Sequence, residues 1–414
     1  MFLRAPHALL ALAVLTQVVA CAEEKADPRF AMSSSSSMAA DAGAKGDGGS
    51  GAKSDGGLDF ASFDKALQKA IDDHNASDAG TALPVKGASA VVVDKKSGLV
   101  HQKGYGDYAA DRLYLIASSS KILSVGVLMK LADEGKLDLD TPVSEYLAEW
   151  GDTAVGKVTV AQLLSNSSGL PSLTEVGGAA TMPDSPFASN LCQYTSAGTL
   201  QDCGKLLYDT EPPREPDTEY AYGGSQWQLA GAIAEVVSGK SWAELIDETY
   251  VEPCKVPSLG YTNHWSLPMA ATVYPSSFGG DVSKLPETEN PSIEGGAYIT
   301  APDYAKLLHM HLNGGKCGSE RVLSAEAVER MQQDRITEYG GKVNAPFTGY
   351  GMGWWVLGNM NSVADPGAYG AAPVIDLGRE YAMMIIVEAS SAVGMKLALT
   401  SKPALDAIFD KAKK

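Results

Sequence analysis

A serine and a lysine three residues apart, Ser118 and Lys121 in the run "LIASSSKIL", are the side chains of this sequence best placed to do chemistry. A hydroxyl at a helix start sits at the positive end of the helix dipole, and a side chain three residues on returns to the same side. A lysine kept partly neutral by burial or by a second cation can take the serine proton, which makes the two a nucleophile and its base. Spacing alone does not select them. Ser50 and Lys53 repeat it within a Gly/Ser-rich stretch, and the plain alternative for Ser118 is an N-cap serine beside a solvent lysine. Other chemistries have less to stand on. The chain has no Gly-x-Ser-x-Gly elbow and no HExxH. His309 and His311, in "HMH", are two apart in an apolar helical stretch, so their rings face different ways and read as structural, not as metal ligands. No metal and no organic cofactor is called for.

The elements around the pair follow from periodicity. "LDFASFDKALQKAIDDHN" spaces Phe60, Phe63, Leu67 and Ile71 three or four apart, an amphipathic helix. "ASAVVVDKKSGLVHQKGYGD" reads as a β-hairpin around Lys-Ser-Gly. "SSKILSVGVLMKLADEGKLDL" is a helix apolar on more than one side and ends at Gly135. A short helix ended by Gly169, a loop-rich region and two helices parted at Gly239 follow. Late in the chain "ITAPDYAKLLHMHLNGG" and "SAEAVERMQQD" are helical, "YGMGWWVLG", "APVID" and "EYAMMIIVEAS" are strands, and "KPALDAIFDKAKK" closes the chain as a helix. Strands at both ends with helices between predict an α+β fold: an antiparallel sheet flanked by the terminal helices, with a helical subdomain inserted. Residues 58–117 plus about 290–414 form the α/β part, and about 118–290 the helical part.

The order of motifs strengthens the case for Ser118. "YLIASSSKILSVGVLMKLADEGKLDLDTPVSEYL" resembles the nucleophile region of the β-lactamase-related serine hydrolases, which span class C β-lactamases, D,D-peptidases and related esterases. The resemblance continues through "VTVAQLLSNSSGLP", "EPDTEYAYGGSQWQLAGAIAEVVSG", "GGAYITAPDYAKLLHMHLNGG" and "YGMGWWV", over roughly residues 85 to 400. It implies a β-lactamase/transpeptidase-like fold, with Ser118 as nucleophile and Lys121 as its basic partner. The second motif, Tyr-x-Asn, falls on Tyr222 to Gly224, in a register set by Pro216 and "WQLAG". Tyr220 is the competing tyrosine and matches an aromatic core position. A tyrosine beside a cation ionises more readily, so Tyr222 would share proton transfer with Lys121 and reprotonate the leaving group. Ser119 and Ser120 read as filler at the helix start.

Two departures from that pattern bear on substrate. Gly224 stands where the motif asparagine would supply an amide. The third motif, usually Lys-Thr-Gly or His-x-Gly, has its nearest match in Ala368-Tyr369-Gly370 of "DPGAYGAAPVID", where alanine replaces the cation that binds a substrate carboxylate. The N–H groups of Ser118 and Ala371 are the expected oxyanion hole. The loss of the cation moves the expectation from penicillins and stem peptides toward esters or neutral amides.

Composition sets the surroundings. The chain has 414 residues, 45% of them hydrophobic, and a net charge of -17 with no basic cluster, which argues against nucleic-acid binding. Residues 1–20, with an apolar run from Ala8 to Ala20, read as a secretory signal. "VVAC" resembles a bacterial lipobox, making Cys21 a lipidation site, or else the cysteine merely neighbours an ordinary signal cleavage site. Residues 21–57, rich in Ser, Gly and Asp, form a flexible tether, and 58–414 the hydrolase domain. Cys192, Cys203, Cys254 and Cys317 make an even set that allows three pairings. The polar loop between the first two favours Cys192–Cys203 and Cys254–Cys317 over four buried thiols. The sequence thus predicts an exported, lipid-anchored serine hydrolase facing the periplasm or cell surface, carboxylesterase-like and acting on a small ester or amide. The alternatives are β-lactamase or D,D-carboxypeptidase activity, or a silent binding protein with the same fold.

Overall fold

The computed structural model describes residues 57–77, 84–179, 182, 184–267 and 274–413. The signal segment, Cys21 and nearly all of the tether lie outside the described residues. Strands and helices from both ends of the chain build the larger part of the domain around one seven-stranded sheet.

That sheet has the order β2-β1-β12-β11-β10-β9-β8 and is antiparallel throughout. Its members are β1 (Gly87–Asp94), β2 (Gly98–Gly106), β8 (Gly349–Tyr350), β9 (Trp355–Leu357), β10 (Ser362–Ala364), β11 (Ala371–Asp376) and β12 (Tyr381–Val387). The β1–β2 turn is fixed by Asp94, whose carboxylate accepts the N–H groups of Lys96 and Ser97, and by Gly98 at φ 74°. Every residue of β12 is buried because the sheet is covered on both faces. Tyr381, Met383, Ile385 and Val387 face the terminal helices α1 (Ala61–Ser77) and α10 (Ser391–Ala412), with Phe63, Leu67, Leu405 and Phe409. Ala382, Met384 and Ile386 face the helical part, with Ile122, Leu307 and Leu308.

The helical part comprises α2 (Lys121–Asp133), α3 (Val160–Leu164), α4 (Leu173–Ala179), α5 (Leu200–Tyr208), α6 (Ser225–Ser238) and α7 (Trp242–Ile246). Back in the sheet-bearing part lie α8 (Ala301–Leu312) and α9 (Ala325–Gln332). A small sheet of order β3-β5-β4, from β3 (Leu113–Leu115), β4 (Gly260–Tyr261) and β5 (Ala297–Thr300), joins the two parts. Cys192 is bonded to Cys203, and Cys254 to Cys317 in the hairpin of β6 (Lys316–Cys317) and β7 (Glu320–Arg321).

Two elements differ from the sequence reading. "YGMGWWVLG" is not one strand: Gly353 at φ 79° and a Gly351 N–H to Trp354 carbonyl bond fold it into the β8–β9 hairpin. The last helix begins at Ser391, capped by Ser390, and runs through Pro403 instead of starting beside it. Proline forfeits one ladder bond, and burial of Leu397, Leu405 and Phe409 against the sheet outweighs that loss.

Candidate active site

The chain leaves β3 through Ile116 and enters a 3-10 turn, Ala117–Ser120, that runs directly into α2. Ala117 sits at φ 46°, a left-handed conformation that costs a non-glycine residue about 1 kcal/mol. Its neighbours hold it there. Ser120 Oγ donates to the Ala117 carbonyl at 2.6 Å and accepts Ala297 N–H at 3.0 Å. Ser119 Oγ donates to the Asp365 carbonyl at 2.5 Å, and Tyr304 OH donates to the Ser119 carbonyl at 2.9 Å. Ser119 and Ser120 are therefore not filler. They clamp the turn to β5, α8 and the end of β10, and leave Ser118 as its partly exposed serine.

Ser118 Oγ receives two side chains. Lys121 Nζ donates to it at 3.2 Å, and Tyr222 OH donates at 2.9 Å. Tyr222 is pinned on both sides: its carbonyl accepts Leu173 N–H at 2.8 Å, and Asn166 accepts Gln226 Nε2 and Trp227 Nε1 just downstream. Asn166, at φ 55°, belongs to "SNSSGLP", so that segment acts as the splint for the tyrosine turn. Tyr220 packs instead against Tyr350 and Trp355, with its hydroxyl buried.

Lys121 is fully buried, and sequence reasoning missed its main partner. Lys121 Nζ donates to both Glu294 Oε2 and the Glu294 carbonyl, each at 3.1 Å. The lysine also lies 4.7 Å from the centroid of the Tyr222 ring. The only signal for Glu294 is an ionisable residue within the apolar and small run "PSIEGGAYI".

A hydroxyl held by a buried lysine and a phenol matches the chemistry of acyl transfer, and the comparisons agree. The family model described as Beta-lactamase matches residues 68–398. The chain belongs to the beta-lactamase family. It is 26% identical to penicillin-binding protein 4 of Amycolatopsis lactamdurans over 82% of this chain and 85% of that one. Among solved structures it resembles the octameric penicillin-binding protein homologue from Pyrococcus abyssi (TM-score 0.62, 23% identity, 82% of this chain and 76% of that one). It also resembles EstCE1, a hydrolase with promiscuous acyltransferase activity (TM-score 0.63, 18% identity, 82% and 98%). Family and fold make this chain a serine hydrolase of the beta-lactamase family.

The third segment of the beta-lactamase family's three-motif pattern falls at the turn between β10 and β11. Tyr369 is turned inward, 5.5 Å from the rings of both His264 and Tyr274, and packs with Leu115 and Phe278. Gly370, at φ 90°, closes a tight turn: its N–H reaches the Gly367 carbonyl, and Gly367 N–H reaches the Ala371 carbonyl. Ala371 is fully buried in β11. Asp365 to Gly367 and the start of β11 both lie against the Ser118 turn, because the turn between β10 and β11 folds back on itself. A Cβ on Gly367 would overlap the Ile116 carbonyl. Ala368, next along, keeps part of its surface exposed.

Asp365 therefore occupies the end of β10 beside the nucleophile turn, and it is no cation. Burial pushes its carboxyl well above the usual carboxylate range, against the pull of Lys121. His264 is likewise neutral, pushed down to about 3 by burial and by the charge of Lys121. Trp355 and Phe347, both partly exposed, extend an aromatic flank from Tyr222, with centroids 5.6 and 4.7 Å apart along the row. Among the described residues no group of three or more His, Cys, Asp or Glu is placed to hold a metal ion.

Proposed function

We propose that this protein is a carboxylesterase-like hydrolase of small, uncharged esters, working through an acyl-enzyme on Ser118. One observation carries the reading: Ser118 Oγ is partly open and bonded to both Lys121 and Tyr222, while the adjoining segment Asp365–Ala371 offers no cationic side chain. Ser118 Oγ attacks the ester carbonyl as its proton passes to the Lys121–Tyr222 pair. The tetrahedral oxyanion is held by the N–H groups of Ser118 and Ala371, the first residue of β11, which packs against the Ser118 turn. Collapse breaks the C–O bond, and the alcohol leaves with a proton from Tyr222. Water then repeats the sequence on the acyl-enzyme and releases the acid. A penicillin or stem-peptide carboxylate would find no cationic side chain in Asp365–Ala371, whereas an apolar ester meets Trp355 and Phe347.

A fluorophosphonate probe tests the nucleophile. Labelling of the protein but not of Ser118→Ala is the expected result, and equal labelling of both, or of neither, overturns it. Short-chain nitrophenyl esters should be turned over faster than nitrocefin or a D-Ala-D-Ala peptide, and rapid nitrocefin hydrolysis overturns the ester preference.

The chain is further proposed to be exported and anchored through lipid on Cys21. The apolar leader, the "VVAC" sequence and two disulfides, which persist in oxidising compartments, support this. Cys21→Ser should move the protein from the membrane fraction to the soluble fraction of a producing Gram-negative cell, and unchanged fractionation overturns the anchor.

A further inference from the structure

Lysine as an ammonium has three N–H donors and no acceptor. Lys121 Nζ meets three oxygens: Ser118 Oγ at 3.2 Å, and the Glu294 carbonyl and Glu294 Oε2 at 3.1 Å each. The carbonyl and the carboxylate can only accept, while Ser118 Oγ can accept or donate, and it is the carboxylate at 3.1 Å that favours the ammonium, with every proton spoken for. Burial reinforces this, because Lys121 is wholly enclosed and Glu294 is only 5% exposed. Separating such a pair strands a charge away from water.

Glu294 reaches this place through its loop and through a missing side chain. Gly296 N–H bonds back to the Ser292 carbonyl at 2.7 Å, folding residues 292–296 into a turn with Glu294 within it. Ile293, just before it, is held by Gln228 at its N–H and by Ser124 at its carbonyl. The other face of the carboxylate lies against Gly224. A Cβ built on Gly224 would overlap both Gln193 Oε1 and Glu294 Oε1. The space that a side chain at 224 would take is thus occupied by a carboxylate arriving from a different segment.

We propose that Glu294 is the positioning residue of this site: it holds Lys121 as an ammonium aimed at Ser118, in room left by Gly224, so that Tyr222 takes the serine proton. The inference rests on Ser118 being the nucleophile. Lys121 then serves as a fixed positive charge, 4.7 Å from the Tyr222 ring, that favours the phenolate able to accept that proton. The proton moves from Ser118 Oγ to the Tyr222 oxygen, and from there to the leaving alcohol, so Lys121 keeps its own throughout. The other ionisable groups facing Lys121 are Asp365 after β10, His264 before its 3-10 turn and Tyr350 on β8. Burial holds all of these in their neutral forms, which leaves Glu294 as the charge that balances the lysine.

The test compares Glu294→Gln, Glu294→Ala, Gly224→Asn and the exchanged pair Gly224→Asn/Glu294→Ala. For each, the rate of fluorophosphonate labelling and of nitrophenyl butyrate hydrolysis is measured from about pH 5 to about pH 10, beside a thermal melt. Glu294→Gln should lose at least about tenfold in rate near neutrality. Its alkaline limb should move to lower pH, because activity requires the ammonium and an ammonium without its carboxylate gives up its proton sooner. A purely structural role would lower the melt and leave that limb in place. Gly224→Asn alone should lose activity through the overlap, and the exchanged pair should recover at least about tenfold over either single variant. An unchanged Glu294→Gln rate and limb, or an exchanged pair no better than its worse parent, overturns the proposal. Failure of the unsubstituted protein to label at Ser118 overturns the nucleophile reading itself, a result distinct from either.

Discussion

Among the described residues two lysines are buried, and their surroundings differ in kind. Lys402, on the last helix, bonds Asp376 Oδ2 at 2.6 Å and Asp406 Oδ1 at 2.8 Å. Those carboxylates are themselves shared, Asp376 with Arg379 and Asp406 with Tyr381 OH. Lys121 has one carboxylate, one carbonyl and one serine hydroxyl. The first ammonium is saturated by anions and can only hold the helix to the sheet. The second spends one of its three bonds on a group that must change during a reaction. Burial alone does not mark a functional lysine; the presence of a reactive oxygen among its acceptors does.

The sharpest way to break this contrast is to remove each lysine in turn. Lys121→Met should cut the rate of Ser118 labelling by about a thousandfold. Lys402→Met should destabilise the fold by about 3 kcal/mol, since it leaves the buried Asp376 with only the longer Arg379 contact as its cation, while the folded fraction labels at the unsubstituted rate. Urea unfolding and labelling on the same samples decide it, and a labelling defect in Lys402→Met beyond its unfolded fraction would erase the distinction. A smaller effect is expected from Cys254→Ser/Cys317→Ser, which opens a crosslink spanning 63 residues outside both lysine sites. Stability should fall by about 2–4 kcal/mol with the pH profile intact.

The smallest effect concerns an exposed counterpart of these pairs. Burial alone would raise the Asp64 carboxyl, but hydrogen bonds from His101, Lys103 and Tyr105 bring it from 3.8 down to about 2. Its contribution to stability is therefore present above the ordinary carboxylate range and is lost as pH falls through about 2. Asp64→Asn should cost about 1 kcal/mol at neutral pH, and the gap from the unsubstituted protein should close in acid. A gap that stays constant down to strong acid would contradict the assignment.

Much of this could be read from the sequence, and the remainder has physical reasons for being hidden. The strands at both ends announced the sheet because each is a near-continuous apolar run bounded by turns. Ser118, Lys121 and Tyr222 were found from local spacing and motif order, and the structure brings them within hydrogen-bond reach. Ser119 and Ser120 were undervalued because their partners, Asp365 and Ala297, are far along the chain. The shape of the third segment was hidden because the depth of a tight turn is not written in composition. Glu294 was invisible since its meaning lies in a pairing 173 residues away and in the emptiness at Gly224.

The centre of the large sheet is a seam between the ends of the chain: Asp94 of β1 lies opposite Tyr381 of β12, and Ala88 opposite Val387. During synthesis the first of these strands has no neighbour on that side until β12 is made. Contacts so distant in sequence are slow to form. A chain shortened before β12 thus lacks the strand that pairs with β1, and it should fail to label at Ser118.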